Sequence, residues 1–178
     1  MMKNEIQISY YKTQVGELLL GAFEGKLCLC DWRHRKMREA VDNRIKVSLS
    51  GEYIETESAV LEDTKQQLGE YFKGKRKNFD LPLHLIGTAF QQSVWEELMQ
   101  IPYGETSTYL ALSRKLDNEK AIRAVASANG ANAISIIIPC HRIIGSDGSL
   151  VGYAGGLDAK KKLLTLEKVL FDGQLELF

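Results

Sequence analysis

Proline and cysteine are scarce in this sequence, and it has no surplus of either charge. Of its 178 residues only three are proline and three are cysteine, and Lys plus Arg balances Asp plus Glu at 23 each. Three cysteines, with Cys28 and Cys30 two positions apart, cannot build a disulfide framework, so free thiols in a reducing compartment are expected. No apolar run approaches the roughly 20 residues that span a bilayer, and no signal-peptide core opens the chain; a cytoplasmic protein with no membrane partner is expected. Zero net charge argues against a broad positive field for gripping nucleic acid and leaves a few placed contacts for that task. Nothing repeats, and no segment is of low complexity.

What is present reads as an ordinary globular protein, with 44% hydrophobic and 26% charged residues. The length suffices for one sizeable core or two small domains. Residues 5–32 alternate as a small antiparallel sheet, with turns at Gln14-Val15-Gly16-Glu17 and at Glu24-Gly25. Cys28 and Cys30 then share one strand face and read as packing. A zinc site from Cys28, Cys30, His34 and His84 would have the spacing C-x-C-x3-H plus a distant His, which fits no strong zinc pattern, so no metal is expected. The basic cluster Arg33-His34-Arg35-Lys36-Met37-Arg38 reads as a solvated loop, and residues 43–51 show no period. A helix is expected over residues 57–72, closed by Gly74. The segment from Lys73 to Asn78 and Leu81-Pro82-Leu83 then read as the passage between domains.

Beyond Gly87 the period becomes helical. Thr88 is the expected N-cap of a helix carrying Phe90, Val94, Trp95, Leu98 and Met99, ended by Pro102 and Gly104. A second helix over 106–116 and a third over 118–128 follow, the third capped by Asn118 with Ile122, Val125 and Ala126 as its buried face. The link at Asp117-Asn118 is short enough for a helix-turn-helix, although such a pair can equally be plain packing. The third helix is small on its surface, with Ala121, Ala124, Ser127 and Ala128 around Arg123. The expected fold class is therefore α/β: an N-terminal sheet-and-helix domain over 1–80, a mainly helical domain over 87–170, and a tail over 171–178.

The chemistry concentrates in Ser135-Ile136-Ile137-Ile138-Pro139-Cys140-His141-Arg142-Ile143-Ile144. The β-branched run reads as a buried strand that Pro139 ends where Cys140 begins. A thiol reacts as thiolate and needs a base or a positive charge nearby, and His141 and Arg142 offer both. Consecutive strand positions face opposite ways, so Cys140 and His141 can cooperate only through a sharp turn or a bridging water. Spacing alone leaves a nucleophile and a small core cysteine equally open.

Ile138-Pro139-Cys140-His141-Arg142-Ile143-Ile144 resembles the active-site signature of the O6-alkylguanine-DNA alkyltransferases, the methylated-DNA-protein-cysteine methyltransferases. The likeness runs over about residues 87–167, through Ile101-Pro102-Tyr103-Gly104-Glu105-Thr106, Ala121-Ile122-Arg123-Ala124-Val125, Ala128-Asn129-Gly130 and Gly152-Tyr153-Ala154-Gly155-Gly156-Leu157; the N-terminal third is similar only loosely. The resemblance implies irreversible, single-turnover transfer of the alkyl group from 6-O-methylguanine, and from 4-O-methylthymine, in double-stranded DNA to Cys140, without a cofactor. It implies that His141 takes the thiol proton through a water, that Glu167 orients the imidazole, and that the Tyr109 hydroxyl approaches guanine N3. It further implies a minor-groove recognition helix bearing Ala121, Arg123, Ala124 and Ser127, with Arg123 filling the gap left by the flipped nucleotide. Asn132 holds the active-site turn in this likeness, and Ile143, Tyr153, Ala154 and Gly155 line the base pocket, Ala154 standing where a Ser is common. A monomer is expected. Two other readings of the same residues are an alkylation-sensing helix-turn-helix regulator and a Cys-His hydrolase. The last five residues, Gln174-Leu175-Glu176-Leu177-Phe178, resemble the peptide that docks bacterial repair proteins on the sliding clamp, through Gln174, Leu175, Leu177 and Phe178. A tail folded back on its own domain is the alternative.

Overall fold

The computed structural model describes residues 2–169, so the clamp-like residues Gln174, Leu175, Leu177 and Phe178 lie outside the described residues. The chain divides into two compact units, Met1–Gly87 and Thr88–Phe178.

In the first unit three strands, β1 (Asn4–Thr13), β2 (Gly16–Phe23) and β3 (Lys26–Trp32), pair antiparallel in sequence order. Leu18, Leu19 and Leu20 of β2 and Leu27, Cys28, Leu29 and Cys30 of β3 are all buried, so the sheet is covered on both faces there, with Cys28 and Cys30 on one and Leu27 and Leu29 on the other. Packing leaves no room for a side chain at Gly21, where a Cβ would stand 2.9 Å from Leu29 Cβ. The sheet is not purely antiparallel. Beyond β1 a fourth strand, β4 (Gly51–Glu55), pairs parallel to it, reached through a helix, α1 (Arg38–Leu49), that the sequence reading passed over. Val41, Ile45 and Leu49 recur every four residues as its buried stripe, and a window opened at Asn43 cuts that stripe in half. Ser50, in the left-handed region at φ 48°, ends the helix and turns the chain into β4.

The basic cluster before α1 is likewise not all solvated. Asp31 is fully buried at the end of β3; Arg35 reaches it with Nη1 at 3.2 and 3.0 Å, and Arg38 at 3.0 Å. A buried carboxylate needs such partners, and the turn supplies them. The second helix, α2 (Ala59–Phe72), is capped by the Ser58 side chain and buries Leu61, Leu68 and Tyr71. Pro82 and His84 exchange backbone hydrogen bonds with Leu27, which ties the segment after α2 to β3 as part of the first unit.

The second unit opens with α3 (Ala89–Leu98), whose N-cap Thr88 forms a reciprocal capping box with Gln91. Then come α4 (Tyr109–Lys115), capped by Thr108, and α5 (Ile122–Gly130), entered through a 3-10 turn over Glu119–Ala121. Asp117, left-handed at φ 53°, reverses the chain between α4 and α5. Asn118 does not cap the last of these with its side chain; its carbonyl accepts from Ala121 N–H instead. The buried face of α5 is Val125, Ala128 and Asn129, so Ile122, expected inside, is 38% exposed. Trp95 pins this helix by donating its indole N–H to Ala128 O at 2.8 Å. The last helix, α6 (Leu157–Leu166), buries Ala159, Lys160, Leu163 and Leu164.

Candidate active site

Ile136-Ile137-Ile138 does not form a strand. Ile136 takes a left-handed backbone at φ 72°, rare for a β-branched residue, and the run folds on itself: Ile137 N–H donates to Ser135 O and Ile138 N–H to Ile134 O. Asn132 holds this knot. Its Oδ1 accepts from Ile134 N–H at 2.9 Å, and its Nδ2 donates to Ile138 O at 3.0 Å and approaches Cys140 Sγ at 3.3 Å. Backbone groups taken up by a side chain cannot join a strand ladder, which is why the apolar run collapses into the core instead. Strain of this kind persists where the surroundings over-determine it.

Cys140-His141-Arg142 then forms one 3-10 turn. Successive side chains in such a turn are rotated by about 120°, so Cys140 and His141 are neighbours and not on opposite faces. Cys140 is 3% exposed. A sulfur this deep cannot reach into a duplex; a base has to come to it.

His141 is fully buried, and its Nε2 meets Glu167 Oε1 at 2.8 Å. Glu167 stands at the end of α6, 2% exposed, where a sequence reader would place a solvated carboxylate. Arg142 clamps it from the other side, with Nε to Oε2 at 2.9 Å and Nη2 to Oε1 at 3.0 Å, and donates Nη1 to Ile101 O at 2.6 Å. Burial alone would raise the Glu167 carboxyl, but His141 and Arg142 outweigh it and hold the group at about 2. For His141, loss of water outweighs the pull of Glu167 and keeps the imidazole below its usual range, hence neutral near pH 7. With the carboxylate accepting at Nε2, the neutral ring carries its proton there and its lone pair on Nδ1. Among the described residues Nδ1 has no hydrogen-bond partner, so the basic nitrogen, although buried, has its lone pair unengaged.

Arg142, expected beside the thiol, is therefore a clamp on Glu167. Lys160 was not singled out from the sequence at all, being one of three consecutive lysines. It is fully buried, donating Nζ to Ile143 O and, at 3.0 Å, to Val151 O. Burial pulls its ammonium down to about 8, and the charge of Cys140 works the other way. Its signal was legible: 160, 163, 164 and 167 fall on one helical face, with charged residues at both ends of an apolar stripe.

The other sequence candidates fall as follows. Tyr109 opens α4, partly buried, near enough to Cys140 for that charge to add to the upward shift that burial gives its phenol. Tyr153 lies edge-on to the His141 ring with centroids 6.5 Å apart, and Ala154 and Gly155 beside it are partly exposed. Ile143 is fully buried, and its carbonyl is taken by Lys160. Arg123, Ala124 and Ser127 are exposed on α5, and Ala121, just before it, is partly exposed. Cys28 and Cys30 are far from ligand chemistry: burial pushes the Cys28 thiol up to about 12 and Cys30 higher still, and a metal needs the thiolate. Among the described residues no group of three or more His, Cys, Asp or Glu side chains could hold a metal ion.

Comparison with known proteins gives this geometry a family. Residues 89–169 match the 6-O-methylguanine DNA methyltransferase DNA-binding domain, and residues 6–85 match the ribonuclease-like domain of the same proteins. A methylated-DNA--protein-cysteine methyltransferase of Methanosarcina barkeri is 43% identical over 157 residues, 88% of this chain and 94% of that protein. The constitutive enzyme of that name from Bacillus subtilis is 40% identical over 173 residues, 92% of this chain and 98% of its own. The crystal structure of Mycobacterium tuberculosis OGT in complex with DNA superposes with a TM-score of 0.78 at 35% identity, covering 98% of this chain and 99% of that one. Both halves match in order, and relatives align over nearly their full length: the chain belongs to the 6-O-methylguanine DNA methyltransferase family.

Proposed function

We propose that this protein repairs DNA by taking the alkyl group of 6-O-methylguanine, and of 4-O-methylthymine, onto Cys140. His141 Nδ1 removes the thiol proton through a water, and Glu167, fixed by Arg142, holds the ring in the tautomer that leaves that nitrogen basic. Sγ attacks the methyl carbon in line with the departing oxygen. A carbon–sulfur bond forms as the carbon–oxygen bond breaks, the electron pair passes to the base, and the proton taken from the thiol ends on it. Tyr109 donates to N3 while that negative charge builds, a stabilisation strongest in the transition state. Asn132 holds the knot behind the sulfur, and Tyr153, Ala154 and Gly155 wall the base. A thioether has no route back to the thiol, so each chain acts once.

The deep position of Cys140 requires the nucleotide to leave the stack, at about a few kcal/mol. In this reading α4 and α5 act as a helix-turn-helix. The small exposed surface of Ala121, Ala124 and Ser127 lets α5 enter the minor groove, and Arg123 occupies the vacated place. The protein works as a cytoplasmic monomer. The terminal pattern of Gln174, Leu175, Leu177 and Phe178 adds a sliding clamp as partner, on the strength of the sequence alone; deleting the last five residues should abolish clamp pull-down and leave alkyl transfer intact, and unchanged pull-down would remove the clamp from this account.

The observation that carries the reading is the buried His141–Glu167 pair, whose Nδ1 has no hydrogen-bond partner among the described residues, in the residue next to the thiol. DNA labelled in the methyl group tests it. Label should move to Cys140 at one group per chain and stop there. Sustained turnover, or label that never reaches Cys140, would refute it.

A further inference from the structure

Tyr103 has no part in the reaction above, yet the segment that carries it meets both halves of the buried ion pair. Ile101 O accepts from Arg142 Nη1 at 2.6 Å, and the Arg142 guanidinium lies over the Tyr103 ring, 5.9 Å from its centroid. On the other side the Tyr103 hydroxyl donates to Leu166 O at 3.2 Å. Gly104, left-handed at φ 83°, passes so close that a Cβ there would stand 3.4 Å from Glu167 O.

Glu167 needs such a tie because of where it stands. It is the C-cap of α6, at the negative end of the helix dipole, where a carboxylate is disfavoured and the last carbonyls lack partners within the helix. The backbone closes three of these carbonyls: Glu167 N–H donates to Leu163 O, Val169 N–H to Leu164 O and Lys168 N–H to Thr165 O. The next one, Leu166 O, is taken from outside the helix by the Tyr103 hydroxyl, one residue before Glu167. Burial, and after it the Glu167 charge, push the ionisation of that hydroxyl up, so the proton it donates is in place near neutral pH.

We propose that Tyr103 is a positioning residue for the alkyl transfer: its hydroxyl fixes the last turn of α6 and its ring backs Arg142, so that the Glu167 carboxylate stays on His141 Nε2 and the lone pair stays on Nδ1. The inference rests on the alkyl-transfer reading and adds to it a residue that acts through Glu167. An imidazole whose Nε2 partner drifts loses the bond that selects one tautomer. Part of the population then carries its proton on Nδ1 and cannot take another from the thiol. The loss falls on the chemical step and not on the binding of DNA.

The test measures single-turnover transfer to Cys140 from a saturating duplex labelled in the methyl group of 6-O-methylguanine, with DNA affinity alongside. Tyr103→Phe keeps the ring and loses the hydroxyl; it should slow transfer by about three- to tenfold, the scale of one hydrogen bond, at unchanged affinity. Made in Glu167→Ala, the same change should slow transfer by less than about twofold, because the carboxylate it positions is gone. Equal fold losses in the two backgrounds, a loss confined to DNA affinity, or no slowing at all would overturn the proposal. Should Glu167→Ala not fold, the nitrogen NMR spectrum of the His141 ring decides: one tautomer protonated at Nε2 in the wild type and a mixture in Tyr103→Phe support the proposal, and an unchanged ring ends it. A wild-type chain that takes no label defeats the alkyl-transfer reading itself, whereas the ring spectrum, recorded without DNA, still reports whether Tyr103 holds Glu167 on the imidazole.

Discussion

At the scale of single residues, the site depends on charges that could not be buried one at a time. Glu167 is tolerable inside because His141 and Arg142 both face it, and Arg142 is tolerable because Glu167 and Ile101 O take its donors. Glu167→Ala should therefore cost about 3–5 kcal/mol in denaturant unfolding, since it leaves a guanidinium buried without its carboxylate. The pH dependence follows from the depressed carboxyl. Its folded value of about 2 lies below the ordinary 4.5, so its contribution to stability is complete above pH 4.5 and is lost as pH falls towards 2. Denaturation measured against pH should show that decline in the wild type and a shallower one in Glu167→Gln. The motif from Cys140 to Arg142 is readable because a thiol, a base and a cation in a row are unusual beside an apolar run. Arg142's real partner was not readable, because Glu167 lies 25 residues away and only folding brings them together.

Among the elements, α5 shows how a helix can be half legible. Its small residues and lone Arg123 were evident, but the start of the helix and the side it buries were not. Asn118 has the identity of a cap and spends its carbonyl on a 3-10 turn instead, which shifts α5 to Ile122–Gly130 and turns Ile122 outward. The exposed set on this helix, Arg123, Ala124 and Ser127, is fixed by what lies behind it: Val125 and Ala128 in the core and Trp95 bonded to Ala128 O. Arg123→Ala should leave attack on a free alkylated base near the wild-type rate and lower repair of the same lesion in duplex DNA by about tenfold or more, given the cost of unstacking it no longer offsets. Rates on the two substrates measured side by side decide this; equal losses would remove the finger role. The same contrast holds for the apolar run before Pro139. Its composition is that of a strand, and the carboxamide of Asn132 overrides it by claiming the backbone groups a ladder would need.

For the molecule as a whole, the described site residues all belong to the second unit, and the first has its own buried charge cluster at Asp31, Arg35 and Arg38. Asp31→Ala should destabilise the protein by about 3–5 kcal/mol, because two arginines lose their buried carboxylate. At a temperature where the variant is folded, burst stoichiometry should remain one alkyl group per chain; a lower burst would tie the first unit to the chemistry. No described helix is long and apolar enough to cross a membrane. The sequence by itself determined the local matters: three strands with their turns, the helices at 59–72 and 89–98 with their Ser58 and Thr88 caps, and the identity of the nucleophile with its neighbouring base. These are set by neighbours along the chain, through periodicity, capping and steric rules. Tertiary structure alone decided that β4 joins the sheet parallel to β1, that Arg35 and Lys160 turn inward, and that Glu167 and Asn129 stand behind His141 and Tyr109. Those outcomes depend on which distant group can satisfy a charge or a hydrogen bond removed from water, and that pairing exists only once the chain has closed around it.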